Sequence, residues 1–159
     1  ERAGGGPSAD LAGGPPFQIE PTDMISPIGI GQNDERKDIY VVTGDSKLFE
    51  FDKNGAFHYW TDGGDTTEEG MYSGPTDTTQ DRSRQLWVVD SGNHRVQVFS
   101  LGGTFFQEWG TKGTGDGQFN QPTDITIYNR RAYVVDEGNQ RIQSLTLGGA
   151  YLSEWSVSP

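Results

Sequence analysis

Short apolar runs separated by turn residues fill the chain from Ile39 onward. Leu86–Asp90 reads LWVVD, Arg95–Leu101 reads RVQVFSL and Thr104–Trp109 reads TFFQEW, after a more polar DTTQ at Asp77. Further on come DITIY from Asp124, AYVVD from Ala132, RIQSLTL from Arg141 and AYLSEW from Ala150. Runs of this length, rich in Val, Ile, Phe, Tyr and Trp and bounded by Gly, Asn and Asp, predict β-strands. The SGN, EGN and LGG segments between them predict tight hairpin turns. A strand with one wet face would alternate apolar and polar residues. YVV and WVV do not alternate, so these strands are expected to be covered on both faces.

The runs also repeat. Asp90 matches Asp136, Arg95 matches Arg141, Gly103 matches Gly149 and Trp109 matches Trp155, all at one spacing. Upstream, PTD recurs at Pro75 and Pro122 with one extra residue between the copies. A weaker copy, IYVVTGDSKLFEFDKNGAFHYW, runs from Ile39 to Trp60, and a PTD at Pro21 is taken to open it. Aligning Trp60 with Trp109 and Trp155 requires one missing residue in its first turn and one before the Trp. Each unit reads as four strands, and self-similar units of this kind stack on one another to bury a shared core.

Residues 75–159 resemble NHL repeats of a β-propeller. The motifs that carry the resemblance are GTGDGQFNQP from Gly113, VVD-x-G-N-x-R-[VI]-Q in two copies, and a Gly-Gly turn followed by an aromatic. The resemblance implies blades of four antiparallel strands with the first strand innermost. The expected fold is all-β: a partial β-propeller of three NHL-type blades with an extended N-terminal arm. The expected division is arm 1–20, blade 1 at 21–74, blade 2 at 75–121 and blade 3 at 122–159. HYWTDGG, from His58, looks like the Tyr-Trp-Thr-Asp signature of lipoprotein-receptor propellers. That signature lies on a second strand, whereas HYWTDGG aligns with the fourth, so it is read as coincidence and Trp60 as a packing residue.

Composition narrows the chemistry. The chain has 159 residues, 31% of them apolar, with 23 glycines and no cysteine, which excludes disulfides and thiolate sites. Its formal net charge of −11, from 12 Lys+Arg against 23 Asp+Glu, argues against nucleic acid as a partner. No apolar run reaches bilayer length, so no membrane span is expected. The two histidines, His58 and His94, fall on an outer strand and a turn, too few and too far apart for a zinc lyase of the kind known among propellers. No Ser sits in a nucleophile elbow. No catalytic residue, cofactor or metal is therefore expected, and the chain is read as non-enzymatic. The loop with Asp62, Asp65, Glu68 and Glu69 has oxygen ligands for calcium but not the spacing of an EF-hand, and a solvated acidic loop is the simpler reading.

Candidate interaction residues fall in two groups. Asp90, His94, Arg95, Asp136 and Arg141 recur on the face shared by the second-to-third turns and the blade-to-blade loops, which usually binds ligands in the family. The alternative there is structural: the aspartate accepts backbone N–H bonds around the Gly-Asn turn and the arginine pairs with it or with the neighbouring blade. The second group is Leu11, Phe17 and Ile19 in the arm, where LAGGPPFQIE echoes LGGTFFQEW. Three blades leave two raw flanks, since closed propellers have about four to eight. The expected partners are other copies of the chain, as a ring-closing dimer or a filament, or missing propeller blades. The reading that follows is an extracellular or cell-surface self-assembling scaffold. Its alternative is a ligand- or protein-binding propeller domain present in part.

Overall fold

A computed structural model of the protein describes residues 26–32, 38–62, 69–101 and 103–156. Twelve strands form three four-stranded antiparallel sheets, each in the order of the chain. Blade 1 holds β1 (Pro27–Gln32), β2 (Ile39–Thr43), β3 (Lys47–Phe51) and β4 (Phe57–Asp62). Blade 2 holds β5 (Pro75–Gln80), β6 (Gln85–Asp90), β7 (Arg95–Ser100) and β8 (Phe105–Trp109). Blade 3 holds β9 (Pro122–Tyr128), β10 (Arg131–Asp136), β11 (Arg141–Thr146) and β12 (Tyr151–Ser156). The only helical pieces among the described residues are two 3-10 turns, Ser91–Asn93 and Glu137–Asn139. The fold is all-β and propeller-like, as the repeat implied.

The three blades are built to one register. Each first strand opens on a proline, pairs it with the last residue of the second strand, and then bulges by one residue: Pro27↔Thr43, Pro75↔Asp90 and Pro122↔Asp136. Proline has no N–H to give the ladder, and the strand start is where that loss is tolerated. In blade 1 this residue is Pro27, not the Pro21 of the earlier PTD, which lies outside the described residues. Each outer strand also carries a bulge at one matching place, next to Phe51, Phe99 and Leu145. Counting through that bulge puts Trp60 opposite Phe49, the position of Glu108 opposite Gln97, while Thr61 stands where Trp109 does. The equation of Trp60 with Trp109 is thus one residue off. No residue is missing before Trp60, because the bulge is present in all three strands.

Burial lies between the sheets. One cluster packs Tyr40, Val42 and Leu48 of blade 1 against Leu86, Val88 and Phe99 of blade 2, with Tyr72 from the connecting segment. The other packs Trp87, Val89, Val96, Val98 and Trp109 of blade 2 against Ile125, Ala132, Val134 and Leu145 of blade 3, with Phe119 from the next connection. Blade 2 is therefore apolar on both faces, which explains the unbroken LWVV run. Each connection drives one aromatic into its seam: Tyr72 meets Phe99 edge-on at 6.3 Å, and Phe119 is fully buried. The first strands stand side by side. Between β1 and β5 they come so close that a Cβ on Gly29 or Gly31 would run into the backbone of Thr76–Thr78.

Candidate functional site

A polar clasp recurs at the mouth of each seam. In blade 2 the β6–β7 turn places Asp90 opposite Arg95. Asp90 accepts hydrogen bonds from Ser73 N–H (2.7 Å), Asn93 Nδ2 (3.0 Å), Arg95 Nε (2.7 Å) and Gln97 Nε2 (3.0 Å). Arg95 reaches on to Glu108 Oε2 (2.6 Å) and the carbonyl of Met71 (2.7 Å). Gln97 donates to that same carbonyl and accepts from Gly70 N–H at 2.9 Å. The residues so held, Gly70 to Ser73, belong to the segment that leads into blade 2. His94 closes the turn with φ of 56°, and its Nδ1 accepts the Gln121 N–H at 2.9 Å.

Blade 3 repeats the arrangement with Asp136, Asn139, Arg141, Gln143 and Glu154. Asp136 accepts from Asn120 N–H (2.7 Å), Asn139 Nδ2 (2.8 Å) and Arg141 Nε (2.8 Å). Arg141 pairs with Glu154 at 2.7 Å and donates to the carbonyls of Thr114, Gly115 and Gln118. Burial disfavours the Arg141 cation, but Asp136 and then Glu154 outweigh it and hold its pKa above the ordinary guanidinium value. Both aspartates are fully buried and both arginines nearly so. Their polar groups are engaged within the chain, where each clasp fastens the incoming connection to its blade.

Among the described residues, blade 1 shows no Asp–Arg clasp, although Gly44 N–H donates to Ser26 O at 2.9 Å as Gly92 N–H does to Ser73 O. By register, Thr43, Lys47 and Phe49 stand where Asp90, Arg95 and Gln97 stand in blade 2. Lys47 turns instead to Asp45 at 2.7 Å, and Phe49 packs with Phe51 and Phe57 at 6.4 Å.

The far flank of blade 3 departs from the burial seen in blade 2. Tyr133, Val135, Ile142 and Trp155 hold the register of Trp87, Val89, Val96 and Trp109. Trp109 is 8% exposed beneath blade 3, whereas Trp155 is 50% exposed and stacks on Tyr133 at 6.0 Å. On blade 1, Ile30 is 69% exposed.

At the inner strands, Asp77 of β5 meets β9. Its Oδ2 accepts the Ile125 N–H at 3.0 Å, and Asp124 lies beside it. Burial first, and then the Asp124 carboxylate, push the Asp77 pKa up to about 6, against the pull of the Ile125 and Thr78 N–H groups.

Of the residues singled out in sequence, Asp90 and Arg95 come together in one clasp with His94 on its turn, and Asp136 and Arg141 in the other. Leu11, Phe17 and Ile19 lie outside the described residues, as do Asp65 and Glu68 of the acidic loop. Gln97, Gln143, Glu108 and Glu154 were not singled out, although the repeated R-[VI]-Q placed a polar residue where a sandwiched strand should be apolar. Among the described residues, no group of three His, Asp or Glu is placed to hold a metal ion, and no helix is long and apolar enough to cross a membrane.

The chain carries an NHL repeat, matched over residues 72–99. Solved propellers share its fold. A streptogramin B lyase structure aligns with a TM-score of 0.66 at 20% identity, covering 89% of this chain and 43% of that one. The nidogen/laminin complex gives 0.65 at 19% identity, covering 85% and 49%. Virginiamycin B lyase from Staphylococcus aureus gives 0.61 at 14% identity, covering 84% and 42%. At such identities the likeness shows the fold alone, and the chain spans less than half the length of each of these structures. No curated protein matches the chain significantly.

Proposed function

We propose that the protein is a non-enzymatic scaffold that associates with other copies of itself through its blade flanks, outside the cell or at its surface. One observation carries the reading. Trp155 is left half exposed and Tyr133 only half-buried on blade 3, in the register where blade 2 buries Trp109 and Trp87 under a neighbouring sheet. An apolar surface of that kind marks an interaction site. The clasps support a structural role, since Asp90, Arg95, Asp136 and Arg141 spend their polar groups inside the chain. A fold neighbour that forms part of a nidogen/laminin complex adds weight to an interaction role. Sedimentation in dilute solution tests the proposal: a species heavier than the 17.4 kDa chain is expected, and a stable monomer would sink it. Recovery of the protein from the cell exterior tests the location.

A second reading is a ligand- or protein-binding propeller domain of which this chain is a part. It is favoured by the chain spanning 43% and 49% of two propellers it aligns with. It predicts further NHL repeats in the flanking gene sequence.

A further inference from the structure

The turns at the end of the blades opposite the clasps are cationic. In blade 2, Asp81, Arg82, Ser83 and Arg84 join β5 to β6; in blade 3, Asn129 and Arg130 join β9 to Arg131 at the start of β10. Arg82, Arg84, Arg130 and Arg131 are all exposed, and Tyr128 beside them is 72% exposed. None of the four guanidinium groups enters an ion pair among the described residues. Asp81, the one acid in either inner turn, is buried, and its Oδ1 accepts the Ser83 and Gln85 N–H groups at 2.8 and 2.9 Å. The outer turns at the same end, Ser100–Thr104 and Thr146–Ala150, hold no charged residue. A chain of net charge −11 thus gathers four exposed cations where two neighbouring inner strands end.

The backbone singles out two of the same residues. Arg84 and Arg130 hold one register position, just ahead of the pairs Gln85↔Ser100 and Arg131↔Thr146. Both are left-handed, with φ of 64° and 62°. In blade 3 Asn129 precedes at 49°, so the two-residue turn has both φ values positive, as type I′ requires. Asn-Gly is the favoured pair for that turn, because glycine has no Cβ to clash. The chain follows this preference in its outer turns, where Gly55, Gly103 and Gly149 have φ of 83°, 80° and 82°. In both described inner turns it sets an arginine in the strained conformation instead. Strain of this kind gathers at functional sites, and no partner among the described residues accounts for these side chains.

We propose that the inner-turn end of blades 2 and 3 is a docking surface for an acidic segment of a partner protein, whose carboxylates pair with Arg82, Arg84, Arg130 and Arg131 beside Tyr128. All four cations are arginine, whose planar fork meets a carboxylate bidentately. Arginine and tyrosine are also the residues enriched in protein interfaces and their hot spots. A long uniform polyanion such as RNA fits less well. Beyond the patch it would run over a chain whose acids outnumber its bases 23 to 12. A short acidic segment meets the patch alone. The surface lies at the opposite end of the blades from the clasps and apart from the Trp155 flank, so it acts beside self-association rather than through it.

The test uses the full chain and a fluorescein-labelled oligoglutamate peptide. Anisotropy at low ionic strength should show saturable binding that added salt weakens, and an oligoglutamine peptide of equal length should not bind. The double variant Arg84→Gly/Arg130→Gly should weaken binding at least about tenfold, the loss expected for two exposed arginine–carboxylate pairs. Its melting temperature should stay level or rise, because glycine suits a left-handed φ. Arg82→Gln/Arg131→Gln should weaken binding likewise. Arginines with a purely structural role would give the opposite pattern, a lower melting temperature and unchanged binding. That pattern, the absence of saturable binding, or tighter binding of an oligouridylate of equal charge would overturn the proposal.

Discussion

Trp109 and Trp155 occupy the same place in consecutive sheets, opposite Val96 and Ile142, yet one is buried and the other half exposed. Truncation should separate them. Trp109→Ala empties a hole in the central cluster and should cost about 3–5 kcal/mol. Trp155→Ala removes a side chain that water already reaches and should cost below about 1.5 kcal/mol in dilute protein. Urea unfolding of the two variants checks the difference, and equal losses would contradict the packing described.

The clasps are expected to be intolerant of losing their anion. Asp136→Ala leaves the buried Arg141 without its fully buried carboxylate partner and the Asn120 N–H without an acceptor. A buried charge stripped of its partner typically costs about 3–5 kcal/mol. Asp90→Ala should behave alike through Arg95 and Ser73. The measurement is the denaturant midpoint, and a shift equivalent to under 1 kcal/mol at both positions, taking about 1 kcal/mol as a single hydrogen bond, would mean the clasps are idle.

Asp77 should make stability depend on pH in the reverse of the usual carboxylate sense. Its folded-state value of about 6 lies above the ordinary 3.8. Between those values the folded chain holds a proton that the unfolded chain has lost, so this contribution is full below about pH 4 and fades as pH rises through 6. Asp77→Asn keeps an oxygen for the Ile125 N–H and removes the charge. It should raise stability at pH 7.5 by about 1 kcal/mol, after allowance for solvent screening, and do nothing at pH 4. Thermal melts at the two pH values check this, and a gain at pH 4 as large as at 7.5 would refute it.

Gly149 and Gly55 have one backbone conformation and different surroundings. Alanine at either position pays for a left-handed φ, about 1 kcal/mol. Only Gly149→Ala also drives a methyl group into Trp109. Its melting temperature should fall further than that of Gly55→Ala, and the reverse order would count against the Gly149–Trp109 contact.

Much of this was legible before the structure. The strands of blades 2 and 3 followed from their composition and bounding turns. The LWVV run announced that blade 2 is covered on both sides, whereas AYVV of blade 3 promised the same and is covered by a described sheet on one side only. Two positions in blade 1 misled. PTD at Pro21 matched the later copies better than the Pro27 that opens β1, because a strand start needs a proline and a bulge rather than those particular neighbours. Trp60 was paired with Trp109 by residue type, although strand register puts Thr61 at that place. Asp90 and Arg95 showed themselves by repetition, but the convergence of Gln97 and Met71 on them depends on a connection folding back across the seam. The charge conflict of Asp77 with Asp124 was hidden for a similar reason: the residues are far apart in sequence and meet only where two inner strands run side by side.

Each clasp also imposes an order in time. Ser73 waits for Asp90, and Asn120 waits for Asp136, so every fastening partner is synthesised after the residue it fastens. A nascent chain halted before Asp90 would leave the Ser73 amide open to hydrogen exchange. On the ribosome the protein therefore locks backwards, each new turn reaching upstream to secure polypeptide that has already emerged.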